Sequence, residues 1–132
     1  MEIASLALLK GDKLLIVRDK YQNFWTLPGG KIERGETRKE AVVREMEEEL
    51  PLIEWDDLSF YREFFGMTPH SREFVVVHVF IADYSKGFAV PHQEITGSRW
   101  VSPGLVQKKG QKIKMTTSTQ NIINLIKITK AI

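Results

Sequence analysis

Glu45, Glu48 and Glu49 lie three and four residues apart in the run GETRKEAVVREMEEELPL, which covers residues 35–52. In a pattern of helical period they share one face and lie within reach of one another. Like charges at such spacing weaken an isolated helix by roughly 0.2–0.5 kcal/mol per pair. Two carboxylates about 4 Å apart repel by about 4 kcal/mol at an effective dielectric near 20. A hard divalent cation is a natural reason to concentrate that charge, because carboxylate oxygens are the ligands Mg²⁺ and Mn²⁺ prefer. A Glu-rich helix is also, by itself, an ordinary solvated face, and Glu47, which points off the shared face, reads that way.

The surrounding residues determine how these acids are held. Leu27-Pro28-Gly29-Gly30 is a turn signal after a short apolar run, and Gly35 is a second breaker. Thr37 followed by Glu40 reads as a capping box, so the helix should begin near Thr37. Val42, Val43, Met46 and Leu50 fall on one side and can face a core. Ala41, Arg44, Glu45, Glu48 and Leu52 fall largely on another. Arg44, four residues from both Glu40 and Glu48, can tie and orient carboxylates. The expectation is a loop feeding a helix with one buried face and one acidic face.

The stretch resembles the Nudix box, Gly-x5-Glu-x7-Arg-Glu-U-x-Glu-Glu-x-Gly-U, where U is a bulky aliphatic. Gly30, Glu36, Arg44, Glu45, Met46, Glu48, Glu49 and Leu52 all fall in place. The box Gly near the helix end is Pro51 here. A Gly there permits a left-handed C-terminal residue, whereas proline cannot adopt positive φ and disfavours helix at the residue before it. The resemblance implies a Mg²⁺-dependent hydrolase, with Mn²⁺ as a second metal, and an α/β fold: an α/β/α sandwich with a mixed β-sheet, one domain over residues 1–132. It also implies roles. Glu48 and Glu49 are the expected metal ligands, with the Gly30 carbonyl as another. Glu45 is a ligand or the base that takes a proton from water, and Arg44 orients it. Glu36 braces the loop–helix junction.

Composition agrees with one globular domain of 132 residues. No apolar run approaches the length of a membrane span. The first ten residues carry Glu2 and no basic region, so they do not read as a signal peptide. Without cysteine there is no disulfide, thiolate metal site or Cys nucleophile, which fits a cytoplasmic protein. Net charge is +2 but uneven: residues 36–63 hold ten acids against four bases. From Ile95 onward there is no acid, while Arg99, Lys108, Lys109, Lys112, Lys114, Lys127 and Lys130 are all cationic. An acidic metal face opposed by a basic segment suits a substrate with several phosphates; the basic residues equally serve as a solvated tail. Lys108–Lys114 lacks the interleaved aromatics of a nucleic-acid surface.

The spacing of apolar residues predicts strands at Ile3–Leu9 and Leu14–Val17 joined by a turn over Lys10–Lys13. Leu58–Phe65 and Glu73–Ala82 read as two more, with a loop at Gly66-Met67-Thr68-Pro69. Trp100-Val101 reads as a short strand, and Ser102-Pro103 as a helix start. A last helix should run from about Ser118, with Ile122, Ile123, Leu125, Ile126 and Ile128 mostly core.

Outside the box, Glu94 precedes Arg99-Trp100 in a segment that resembles the Glu-bearing loop of MutT-like members, where that carboxylate reaches the metal site. His70, His78 and His92 show no ligand spacing; His78 alternates within an apolar strand and reads as a satisfied core or pocket residue. The resemblance to the MutT branch implies a nucleotide substrate, a nucleoside triphosphate such as 8-oxo-dGTP, cleaved to monophosphate and pyrophosphate. Phe24, Phe74 or Phe80 could stack the base, and Gln120 or Asn121 could read its edge. Pro69, past the box, is a weaker pointer to ADP-ribose, and the basic segment to the triphosphorylated 5′ end of RNA. A binding module that senses a nucleotide without cleaving it would have lost box carboxylates, which survive here. MutT-like relatives occur as monomers and as homodimers.

Overall fold

The computed structural model describes residues 1–21, 24–67, 72–102 and 119–125. Its centre is β1 (Glu2–Lys10), in which residues 4 to 9 are all buried. Successive side chains of a strand point to opposite faces, so burial at every position requires cover on both. Ala4, Leu6 and Leu8 pack with Ala41, Val42, Met46 and Leu50 of the helical run. Ala7 and Leu9 pack on the other face with Val75, Val77, Val79, Ile122 and Ile123.

The remaining strands are β2 (Lys13–Asp19), β3 (Trp25–Thr26), β4 (Gly29–Lys31), β5 (Ile53–Met67), β6 (Phe74–Gly87) and β7 (Ile95–Val101). They form one sheet in the order β3-β2-β1-β6-β5, with β4 paired to β1 and β7 to β2. β1 and β6 run parallel, whereas the other pairs are antiparallel. Helix α1 (Arg38–Glu49) covers one face, and the helical residues 119–125 cover the other. This is the expected α/β/α sandwich with a mixed sheet.

Several boundaries differ from the sequence reading. β5 and β6 extend well beyond the apolar cores at 58–65 and 73–82, because their hairpin ladder continues through polar positions such as Glu54 and Lys86. Gly66 and Met67 belong to β5 rather than to a loop. β7 begins at Ile95, drawn into register by pairing with Arg18 and Asp19 of β2. Gly29-Gly30 is strand as well as turn: it pairs with Ser5 and Ala4. Ala41 is buried against the sheet, and Leu52 is largely exposed, so neither belongs to a common acidic side. His70, Pro69, Pro103, Lys108–Lys114, Lys127 and Lys130 lie outside the described residues, as do Ser118, Ile126 and Ile128.

Candidate active site

The loop before α1 is fixed by local hydrogen bonds. Thr37 accepts from the Glu40 amide at 3.1 Å, and Glu40 accepts from the Thr37 amide at 3.0 Å, closing a capping box. Glu36 accepts from the Glu33 amide at 2.9 Å and receives a fork of two bonds from Arg44, at 2.7 Å to Nε and 2.9 Å to Nη2. The same guanidinium donates to the Lys31 carbonyl at 3.1 Å, to Glu45 at 2.9 Å and to Glu48 at 3.4 Å. Arg44 thus joins loop and helix through a planar, multidentate donor that a lysine could not replace. Its hydrogen bonds hold the Glu36 carboxyl down to about 2, helped by the Glu33 amide.

The acidic face is not a solvated one. Glu45 and Glu49 are four residues apart and buried, on the side of α1 that meets β4. A Cβ added to Gly30 would collide with the Glu45 carboxylate, and one added to Gly29 would strike the backbone of Ala4. The Gly-Gly pair therefore admits β4 against β1 and leaves room for a carboxylate on its other flank. Gly29 also donates its amide to Glu49, at 3.2 and 3.4 Å to the two oxygens. Desolvation raises the Glu45 carboxyl above its ordinary value against the pull of Arg44. It pushes Glu49 up to about 9, with the charges of Glu45, Glu94 and Asp19 adding to it. Glu48 is more exposed and turned toward Arg44.

Glu94 lies in the turn just before β7. Its carbonyl accepts from Lys20 at 2.8 Å, and its charge bears on both Glu45 and Glu49. The His92 amide donates to the Glu49 carbonyl at 2.8 Å, which closes the C-terminal end of α1. Asp19, at the end of β2, is a further acid that sequence reasoning missed. Its proximity depends on the β2–β7 register, a non-local pairing that no local motif signals.

All donors gathered here are oxygens, which fits a hard divalent cation. The buried Glu49 carboxylate, placed among like charges, would gain most from one. No three Asp, Glu or His side chains among the described residues converge as a finished metal cluster. The donor chemistry fits the ion, while the ligating arrangement is open.

The three alternative base-stacking candidates lie in different surroundings. Phe80 is buried in the α1-side core with its ring against Phe60, 5.5 Å between centroids, leaving no face for a ligand. Phe74 is exposed at the start of β6, and Phe24 is half-buried beside β3. Gln120 and Asn121 lie on the opposite face of the sheet from Phe80, and the Gln120 amide donates to Asn124 at 3.1 Å along its own helix. His78 is satisfied between Glu2, at 3.0 Å, and Arg38 and Glu63, at 3.5 and 3.4 Å.

A loop–helix carboxylate site on an α/β/α sandwich defines a class of hydrolase, and comparison with known proteins gives the family. The NUDIX domain model matches residues 2–122, so the chain belongs to the Nudix family and is a MutT-like Nudix hydrolase. A Bacillus subtilis protein named provisionally as an 8-oxo-dGTP diphosphatase is 30% identical over 100 residues, covering 75% of this chain. The match spans 64% of that relative's length, under two thirds. An ADP-ribose pyrophosphatase from Methanocaldococcus jannaschii is 49% identical over 47 residues, 33% of this chain and 28% of the relative. The crystal structure of a MutT NUDIX hydrolase from Burkholderia pseudomallei superposes with a TM-score of 0.74 at 21% identity, over 93% of this chain and 95% of that one. No described helix is long and apolar enough to cross a membrane.

Proposed function

We propose that the protein is a Mg²⁺-dependent pyrophosphohydrolase that cleaves a nucleoside triphosphate, 8-oxo-dGTP or a related oxidised nucleotide, to the monophosphate and pyrophosphate. The observation that carries this reading is the burial of Glu45 and Glu49 beside the Gly29–Gly30 turn, with Arg44 tied to Glu45 and not to Glu49. Glu48, Glu49, the Gly30 carbonyl and Glu94 would hold the cation, with Glu45 as ligand or base. A bound Mg²⁺ would neutralise phosphate charge and lower the pKa of a coordinated water. Glu45, desolvated and held by Arg44, would accept the proton of the attacking water. Burial raises its carboxyl above the ordinary value, the direction that makes a carboxylate a stronger base. Glu36 keeps its charge and holds Arg44 in place.

The relative named for 8-oxo-dGTP supports the triphosphate reading across three quarters of the chain. The shorter match to an ADP-ribose enzyme supports a second reading, hydrolysis of a nucleoside diphosphate derivative. Product analysis on oxidised and normal triphosphates, ADP-ribose and 5′-triphosphate RNA, with and without Mg²⁺, separates them. Pyrophosphate from a triphosphate is the expected result. AMP with ribose phosphate, and nothing from triphosphates, would overturn the substrate while keeping the site. The Glu48→Gln variant should lose Mg²⁺-dependent turnover and keep its fold by circular dichroism; undiminished turnover would remove Glu48 from the metal set.

A further inference from the structure

Among the described residues, three other than glycine have positive φ: Asp57 at 58°, Arg72 at 53° and Gln93 at 58°. Asp57 falls at an irregularity in the β5–β6 ladder, where an extra residue has to be turned out. Gln93 falls in no ladder. It is the second residue of a four-residue turn in which the Ile95 amide donates to the His92 carbonyl at 3.2 Å. Positive φ there, followed by a third residue without it, is the arrangement that ordinarily selects glycine at the second position. A glutamine with an exposed side chain occupies it instead.

The turn is pinned on both sides of Gln93. His92 donates its amide to the Glu49 carbonyl at 2.8 Å, the last residue of α1. Glu94 accepts from the Lys20 amide at 2.8 Å, just beyond β2. Behind it, Ser98 Oγ donates to the Ala89 carbonyl at 2.5 Å. With both flanks fixed by backbone bonds to separate elements, the one dihedral reversal between them sets where the Glu94 side chain is delivered. Backbone of this kind persists where the surrounding contacts over-determine it, and such residues gather at functional sites.

We propose that Gln93 is a positioning residue: its left-handed backbone turns the chain between the α1 and β2 anchors so that Glu94 faces the Glu45–Glu49 pair. The inference rests on Glu94 belonging to the metal site. The charge of Glu94 already bears on Glu45 and on Glu49 in this arrangement.

Mn²⁺ binding to the full chain, read by the electron paramagnetic resonance of the free ion, tests it apart from turnover. Gln93→Gly, which adopts positive φ freely, should bind Mn²⁺ within about twofold of the parent. Gln93→Val, whose β-branched side chain resists positive φ, should bind about tenfold more weakly while its metal-free melting midpoint stays close to that of the parent. Gln93→Thr, β-branched but polar, makes the same comparison if Gln93→Val does not fold. In a Glu94→Gln background, Gln93→Val should add less than about twofold, because the group it positions is gone. Parent-like binding by Gln93→Val, beside weakened binding by Glu94→Gln, would overturn the inference and leave the metal site standing. So would an undiminished loss in the Glu94→Gln background. Parent-like binding by Glu94→Gln would remove Glu94 from the site, and both readings fall together.

Discussion

Glu36 and Glu49 are the same residue type at opposite ends of one helix, and the protein moves their acidities in opposite directions. Glu36, just ahead of α1, is held down to about 2 by the Arg44 fork and the Glu33 amide. Glu49, the last residue of α1, is pushed up to about 9 by burial, and the long Gly29 hydrogen bonds offset this only in part. A carboxylate that braces is matched by its own cation. A carboxylate buried among other acids is driven toward its neutral form. Between them Arg44 and Glu45 join the two regimes at 2.9 Å.

The two ends therefore answer pH with opposite sign. Between about 2 and 4.5 the unfolded chain holds a proton at Glu36 that the folded protein has lost, so its contribution to stability disappears as pH falls through that window. Between 4.5 and about 9 the folded protein holds a proton at Glu49 that the unfolded chain has lost, so metal-free stability falls as pH rises through that window.

The largest effect should come from Glu45, which sits between the two ends. Glu45→Gln keeps an acceptor for Arg44 but cannot take a proton. We expect kcat to fall by about 10²–10⁴ with KM little changed, the range for loss of a general base. A fall below about tenfold would show that the proton goes elsewhere, with Glu94 the next residue to replace.

A smaller effect, in stability rather than rate, should separate Glu49 from Glu36. Glu49→Gln should raise metal-free stability at pH 8 by about 1–3 kcal/mol in urea unfolding, since the parent must keep a proton at Glu49 that its unfolded chain has lost and the amide need not. The gain should vanish as pH falls below 4.5, where the parent carboxyl becomes protonated in both states. Mn²⁺ should stabilise the parent and not the variant. Equal stability of the two proteins at pH 8 would mean that Glu49 is not desolvated as its burial implies.

The N-terminal end of α1 was legible in the sequence because its contacts are local. Thr37 with Glu40, three residues on, was read directly, and so was Arg44 beside Glu45 and Glu48; that the brace at Glu36 would be an Arg44 fork, with Glu40 spent on the cap, was not. The C-terminal end was not legible. His92 on the Glu49 carbonyl, Lys20 on Glu94 and the charge of Asp19 all depend on the registers of β2, β6 and β7. The burial of Glu45 and Glu49 was hidden for a related reason. Helical period places acids on a shared face, but only the approach of β4, made possible by two glycines, turns that face inward. Phe80 shows the converse: an aromatic in an alternating strand can face either side, and the sequence does not say that α1 covers it.

The smallest predicted effect concerns Pro51, where the box has Gly. Were the end of α1 held by its own capping residue, Pro51→Gly would restore a left-handed exit and stabilise the protein. The exit is made differently. Leu50 leaves the helix at φ −139° and ψ 63°, not left-handed, while its amide still donates to Met46 at 2.8 Å. The Glu49 carbonyl is taken by His92, and the Leu50 carbonyl accepts from Ile53 at 3.3 Å. Since these bonds come from outside the cap position, a glycine there gains nothing in the folded state and adds freedom to the unfolded chain. Pro51→Gly should therefore cost about 0.4–1 kcal/mol in urea unfolding and leave kcat within about twofold, because Glu49 is anchored through Gly29 and His92. A gain in stability would mean that the proline strains the exit and that the bond from His92 does not suffice to hold this end of the helix.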